Sequence, residues 1–132
     1  GMGYIPNHAA SAEGETYAFG SHIQFTKDID YPAFDYLLKI VNYCKDNQLN
    51  LFLVQMPFSE TSCAKYADFL SYYDQLIDDF VNKNNLTYLN LNRHERPKLQ
   101  EKDIFYDGEH LNYKGADLYT SFIADFYNKN AE

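Results

Sequence analysis

The chain has 132 residues and a formal net charge of −8, and 45% of its residues are hydrophobic and 17% aromatic. This much apolar material can form a core, so the composition argues against intrinsic disorder and is typical of one globular domain. The 11 Lys and Arg residues are spread along the whole chain, which argues against binding to nucleic acid or to an acidic membrane surface.

The cysteines and the apolar runs indicate no special class of protein. Cys44 and Cys63 lack the spacing of a zinc site or a disulfide framework, and we interpret them as small buried hydrophobic residues. No apolar run approaches the roughly 20 residues that span a bilayer, and no signal peptide opens the chain. The start, Gly1-Met2, resembles an expression scar. The sequence is compatible both with a trimmed protein and with a naturally short one.

The first 29 residues are predicted to be a loop-rich lead-in. Glycines and Pro6 interrupt them, and small polar residues dominate positions 9–16. Short strand-like pieces are predicted near Tyr17–Phe19 and Ile23–Phe25.

Helical and strand patterns alternate after this lead-in. Asp30 as an N-cap and Pro32 in the first turn predict a helix start. The apolar positions that follow have the helical period of 3.6 residues: Phe34, Leu37, Leu38, Val41 and Cys44. The nearly continuous apolar run Leu51–Met56, stopped by Pro57, predicts a strand that is covered on both faces, as in a parallel sheet.

The rest of the chain predicts a helix, a strand, a polar loop and a last helix. Their approximate ranges are Ser62–Asn82, Leu86–Leu91, 92–112 and Lys114–Asn128. This order predicts an α/β domain over residues 30–132, with a small three-layer, flavodoxin-like parallel sheet and flanking helices. Only two strands are secure, so we expect that the first 29 residues or another chain supply further strands, or that part of the domain is missing. We expect the open edge of the first strand to pair with the N-terminal segment or with a second copy of the chain.

Asp107 and His110 stand three residues apart in the polar loop, just before the last helix. A histidine can take a hydroxyl proton at neutral pH, and a carboxylate at its other ring nitrogen fixes the tautomer. Gly108 would help the chain turn so that both groups meet. The alternative is a structural turn in which Asp107 caps backbone N–H groups and His110 packs on a tyrosine.

The stretch Asp107–Ala116 reads DGEHLNYKGA. It resembles the last block of SGNH (GDSL-like) hydrolases, an Asp-x-x-His motif that is often continued as His-Leu-Asn-x-x-Gly-Ala. The resemblance covers about residues 31–128, is specific only in this block, and is closest to the bacterial branch concerned with O-acylation of cell-envelope polysaccharides.

The resemblance implies roles for four residues of this block. It implies that His110 is the general base, that Asp107 orients it, and that Asn112 and Gly115 shape the turn into the last helix. We predict no cofactor. The resemblance also implies an O-acylated carbohydrate as partner and the cell envelope as location, and the residues themselves leave the location unknown.

The nucleophile of such a site is not recognisable in this sequence. The family's Gly-Asp-Ser block is missing, as are the Gly and Asn blocks that donate to the oxyanion. The serines are Ser11, Ser21, Ser59, Ser62, Ser71 and Ser121. Ser62 is interpreted as a helix cap, Ser59 follows a strand end where α/β sites collect ligands, and Ser21 follows a glycine.

Three hypotheses follow from the sequence. The first is the C-terminal part of an SGNH-like esterase or O-acyltransferase that lacks its own recognisable serine. The second is a non-catalytic module that binds glycan or a protein partner, and the third is an unrelated α/β domain with a coincidental Asp-x-x-His. His94 and Glu95 are interpreted as a solvated loop, and no ligand spacing around His110 or His94 predicts a metal.

Overall fold

A computed structural model of the chain describes residues 32–93, 99–107 and 110–130. Its elements in chain order are α1 (Pro32–Asp46), β1 (Phe52–Gln55), α2 (Glu60–Lys65), α3 (Ala67–Asn84), β2 (Thr87–Asn90), α4 (Glu101–Ile104) and α5 (Tyr113–Asn130). The predicted strand pieces Tyr17–Phe19 and Ile23–Phe25 and the predicted cap Asp30 lie outside the described residues.

Two polar residues in the left-handed region end the helices that precede the strands. Gln48 (φ 55°) follows α1, and Asn85 (φ 53°) follows α3. The N–H of Leu86 donates to the carbonyl of Val81 at 3.1 Å, which closes the end of α3 as in a Schellman motif. The polar residues after α3 therefore turn the chain into the next strand.

The two strands form a parallel sheet in which Phe52 pairs with Thr87 and Gln55 pairs with Asn90. Since side chains alternate along a strand, Phe52 and Val54 lie on one face and Leu53 and Gln55 on the other. Phe52 and Val54 pack against the main core cluster.

The main core lies between β2, α4 and α5. Its buried members are Leu89, Leu91, Ile104, Phe105 and Tyr119. The side chains of α5 cover this face of the sheet, and the ring of Phe126 stacks on Phe52 with centroids 5.5 Å apart.

Helix α3 covers the opposite face of the sheet. The Asn90 amide of β2 donates to Asp74 of α3 at 3.1 Å. The Tyr88 hydroxyl donates to Gln55, so these two side chains join β2 to β1 on this face. The alternation of helix and parallel strand confirms an α/β structure, while the three-layer, flavodoxin-like arrangement stays a prediction.

The single helix predicted over Ser62–Asn82 is wrong in one respect, because the structure divides it in two. The backbone of Tyr66 is not helical (φ −114°, ψ 24°), so α2 ends there and α3 begins at the next residue. The cap is also displaced: Ser59, not Ser62, is the N-cap of α2, and its side chain accepts the Ser62 N–H.

The prediction of one irregular loop over 92–112 is also wrong in part. Glu101–Ile104 form the short helix α4, and Phe105 and Leu111 form an antiparallel bridge. Ile104 and Phe105 are buried. These two apolar residues stand in an otherwise polar stretch, so the sequence pattern did not indicate that they belong to the core.

The other sequence-based expectations concern the cysteines and the membrane. Cys44 and Cys63 are both half-buried, and the Cys63 thiol donates to the Asn92 side-chain oxygen at 3.7 Å. In the part of the chain that the structure describes, no helix has the length and apolar character needed to cross a membrane.

Candidate functional site

Asn112 fixes the start of the helix that follows the Asp107–His110 turn. Its side-chain oxygen accepts the Gly115 N–H at 3.0 Å, the geometry of a helix N-cap. Its amide donates to the Asp103 carbonyl at 3.0 Å, and its own N–H donates to the Ile104 carbonyl at 3.0 Å. This buried side chain therefore joins the end of α4 to the start of α5.

Gly115 allows α5 to approach α4 closely. A Cβ atom built at this position would overlap the Ile104 carbonyl oxygen and would also crowd a side-chain methyl of Leu111. Only a glycine fits there without movement of the backbone. The predicted turn-shaping roles of Asn112 and Gly115 thus have direct counterparts in the contacts, whereas Gly108 lies outside the described residues.

The chain between α4 and α5 turns back on itself. Phe105 and Leu111 pair as an antiparallel bridge, and the Tyr106 N–H donates to the His110 carbonyl at 2.7 Å. The two ends of the turn are therefore held together by backbone bonds, which places Asp107 and His110 side by side.

The Asp107 carboxylate contacts both the ring and the backbone of His110. Its two oxygens lie 3.0 and 2.9 Å from His110 Nδ1, and Oδ1 also accepts the His110 N–H at 2.7 Å. The contact to the ring is that of a base and its orienting residue, and the contact to the backbone is that of a capped turn. The same carboxylate makes both, so the two interpretations of this pair are compatible.

This geometry determines which ring nitrogen is available for chemistry. A carboxylate accepts hydrogen bonds, so Nδ1 carries the proton in the neutral ring and Nε2 keeps its lone pair. The His110 side chain is 71% exposed, while that of Asp107 is 13% exposed. An oriented imidazole with an accessible Nε2 can accept a proton from a hydroxyl group or from water.

The pair lies at the carboxyl end of the two parallel strands. Tyr119 packs beside Leu89 and Leu91, and Phe126, farther along α5, stacks on Phe52 at the start of β1. Helix α5 therefore runs antiparallel to the strands and begins at their carboxyl edge. Ligand sites in parallel α/β sheets form at that edge.

The described serines do not complete a nucleophile-base pair with His110. Ser59 and Ser62 are buried, and the Ser59 hydroxyl donates to the Ser62 hydroxyl at 3.1 Å while it accepts the Ser62 N–H. Ser71 is in α3, and Ser121 in α5 donates to the Asp117 carbonyl.

Over residues 32–93, 99–107 and 110–130, no serine hydroxyl lies within hydrogen-bonding distance of the His110 ring. The two remaining serines, Ser11 and Ser21, lie outside these residues.

Asn92 is a structural residue that the sequence reading missed. Its side-chain oxygen accepts the Phe58 N–H at 2.7 Å, and its amide donates to the Met56 carbonyl at 3.2 Å. It therefore ties the end of β2 to the segment that follows β1. An asparagine directly after a predicted parallel strand is the signal that could have identified it.

A charged cluster lies beside this junction. Arg93 contacts Asp74 at 3.2 Å and Asp78 at 2.8 Å. The hydrogen bond that Arg93 donates to Asp78 and the charge of Asp74 raise the pKa of Arg93 further above its ordinary value, and they outweigh the lowering effect of desolvation, so it stays charged. Both ion pairs are solvent-exposed, and we assign them a structural role worth about 1 kcal/mol or less.

Metal binding and known relatives give no further assignment. No group of three His, Cys, Asp or Glu side chains within the described ranges is arranged to hold a metal ion, and His94 and Glu95 lie outside those ranges. Comparison of the chain with protein-family models, curated proteins and solved structures found no match.

Proposed function

We propose that this chain is the base-carrying part of an SGNH-like esterase or acyl-transfer domain. The single observation that supports the proposal most directly is the Asp107–His110 pair. A carboxylate with low exposure holds Nδ1 of an exposed imidazole, at the carboxyl edge of a parallel sheet. The resemblance of the segment DGEHLNYKGA to the family's last block supports the same assignment.

The finer fold belongs to the same proposal. Helix α5 covers one face of the sheet and α3 contacts the other, which supports a three-layer, flavodoxin-like arrangement. In such a sheet further strands would extend beyond β1, and the domain would be larger than its two described strands.

The proposed chemistry is covalent acyl transfer. His110 Nε2 takes the proton of a serine hydroxyl as the serine oxygen attacks the acyl carbon of an ester. The alcohol of the ester then leaves with that proton, and an acyl-serine remains. Water or a sugar hydroxyl next attacks the acyl-serine and gives its proton to His110, which passes it to the serine oxygen as the acyl-serine bond breaks. The serine would come from a segment outside the described residues, since the described serines do not meet the ring.

The substrate class follows from the resemblance. The ester would be an O-acyl group on a carbohydrate, as in the branch concerned with cell-envelope polysaccharides. Without a complete set of donors around the serine, we expect the 132-residue chain to have weak activity.

Hydrolysis of an activated acetyl ester, p-nitrophenyl acetate, tests the proposal on the 132-residue chain. We expect a weak rate that is mostly lost in His110→Ala and lowered in Asp107→Asn, because the unoriented ring adopts both tautomers. His94→Ala is the matched control for the intrinsic reactivity of a histidine ring and should keep the wild-type rate.

Equal hydrolysis by the wild-type chain and His110→Ala would overturn the assignment of His110 as a base. Saturable binding of an acetylated glycan without turnover would instead favour the non-catalytic module.

A further inference from the structure

The outer edge of β1 has backbone groups that β2 does not use. The Leu91 N–H donates to the Gln55 carbonyl at 3.0 Å. In a parallel pair, alternate residues direct their backbone groups to the same neighbour, so Leu53 and Gln55 face β2. The N–H and carbonyl groups of Phe52 and Val54 therefore point to the opposite edge. In the described part of the chain, β1 pairs only with β2.

Helix α1 contacts α3 with one flank and carries apolar side chains on the opposite flank. Phe34 of α1 packs on Phe80 of α3 with ring centroids 5.5 Å apart, and Lys45 donates to the Asn84 carbonyl at the end of α3. These two contacts define the flank of α1 that faces α3.

The opposite flank of α1 is formed by Tyr36, Ile40 and Tyr43, which are 64%, 51% and 63% exposed. Their spacing of four and three residues aligns them along the helix. Because α3 lies on the β2 side of α1, this apolar flank lies on the side of the open β1 edge.

Helices α1 and α3 both lie on the same face of the sheet. A cavity of about 460 Å³ is lined by Leu37 of α1, by Tyr73 and Ile77 of α3, and by Leu53 and Tyr88 of the strands. Leu53 and Tyr88 are register partners and define that face.

The direction in which the sheet grows follows from this placement. The connection from β1 through α3 to β2 is a crossover between parallel strands, and such crossovers are right-handed in nearly all proteins. A strand before α1 would reach β1 by a crossover on the same face. Two crossovers that have the same handedness and lie on the same face of the sheet place their strands in the same direction across the sheet. The strand before α1 therefore falls on the side of β1 away from β2, which is the open edge.

We propose that Ile23–Phe25 add as a third strand, parallel to β1, along this open edge. Six residues separate Phe25 from Pro32, a length typical of strand-helix loops, whereas Tyr17–Phe19 would need a loop of twelve. Its backbone groups would pair with those of Phe52 and Val54, and its side chains would lie beside the apolar flank of α1.

The added strand would also fix the position of Ser21 relative to His110. A strand parallel to β1 ends at the carboxyl edge of the sheet, so a residue that precedes Ile23 lies toward the amino edge. Ser21 would then lie at the edge opposite His110, and it would not be the serine that His110 activates. This consequence concerns the position of Ser21 and does not depend on the proposed activity.

Amide hydrogen exchange of the full ¹⁵N-labelled chain tests the pairing. We expect the Val54 N–H, which points away from β2, to be protected as strongly as the inner Leu53 N–H. Neighbouring residues of a strand direct their N–H groups to opposite sides, so one of Ile23→Pro and Gln24→Pro removes a donor to β1. That variant should speed exchange at Val54 by about tenfold or more, the effect of one lost hydrogen bond.

Three controls accompany these variants. Ala10→Pro, in the loop-rich lead-in, should leave exchange at Val54 unchanged. The Asn90 N–H, at the outer edge of β2, should respond to none of the prolines. The Leu53 N–H reports whether a variant keeps its sheet.

Two results would overturn the proposal. The first is a Val54 N–H that exchanges in the wild-type chain as fast as an unprotected amide, since nothing would then pair with the edge. The second is protection that rises with protein concentration and persists in both proline variants, which would identify a second copy of the chain as the occupant.

Discussion

The C-terminal and N-terminal sides of this sheet differ in how completely they are packed. The buried members of the main core cluster all lie between Leu89 and Tyr119, where β2, α4 and α5 cover one another. On the other side, Val41 is the buried residue of α1, while Ile40 and its neighbours on the flank are exposed. Apolar residues occur on both sides in the sequence, so the difference lies in which apolar surfaces are covered by another described element.

The comparison also locates the candidate site on the well-packed side. Asp107 and His110 are held by a backbone bridge, a buried asparagine and a close helix contact. A site built in this way needs no support from the open edge of β1.

The largest expected effect is the difference in stability loss between a truncation on the C-terminal side of the sheet and one on the N-terminal side. Leu89→Ala removes a side chain that is 2% exposed in the core, and we expect it to lower the free energy of unfolding by about 3 kcal/mol. Ile40→Ala, on the half-exposed flank of α1, should cost less than about 1 kcal/mol, because less surface returns to water. Urea unfolding of the two variants measures both values, and equal losses would contradict the proposed contrast between the two sides.

A smaller effect is expected at Asn112, where the packed side meets the candidate site. Asn112→Ala removes the cap of α5 and leaves the Asp103 carbonyl without its donor, so we expect a loss of about 2 kcal/mol. Asn112→Ser keeps an oxygen for the cap and should lose about half as much.

Asn130→Ala is the matched control for Asn112, since its amide lies at an exposed helix end. It should change the unfolding free energy by less than about 0.5 kcal/mol. A loss at Asn130 as large as that of Asn112→Ala would show that the junction of α4 and α5 has no special role.

The main features of the fold could be predicted from the sequence where a local pattern determines the structure. The helical period predicts α1, and the apolar run that Pro57 ends predicts β1. Helix α4 could not be predicted, because its apolar residue packs against distant elements, and no local pattern in the sequence marks the division at Tyr66. Ile104 and Phe105 pack in one core cluster with Leu89 and Leu91.

The candidate site was predictable to the extent that it is local. Asp107 and His110 are three residues apart, so one turn brings them together, and the contact between carboxylate and ring follows. The role of Asn92 was not predictable, since its partners Met56 and Phe58 are more than 30 residues away in the sequence. For the same reason, a local pattern could not identify a serine that would contact His110 from a distant part of the sequence.

The smallest expected effect tests the packing of the cavity between α1 and α3. Burial of the Tyr88 phenol, with the nearby Asp74 carboxylate, raises the pKa of Tyr88 well above its ordinary value. Above about pH 10 the unfolded chain therefore loses this proton while the folded chain keeps it, and the stability falls as the pH rises. Between pH 8 and 10.5 the stability of the wild-type chain should fall by up to about 0.8 kcal/mol more than that of Tyr88→Phe.

Urea unfolding at the two pH values measures this difference, and Tyr36→Phe, on the exposed flank of α1, is the matched control. Tyr36→Phe removes a hydroxyl that lies on the exposed flank, away from the cavity, and should keep the pH dependence of the wild-type chain. Tyr88 lines the cavity that separates α1 from α3. If Tyr88→Phe also kept the wild-type pH dependence, water would reach the Tyr88 phenol through this cavity, and the N-terminal side would be even more open than its exposed flank indicates.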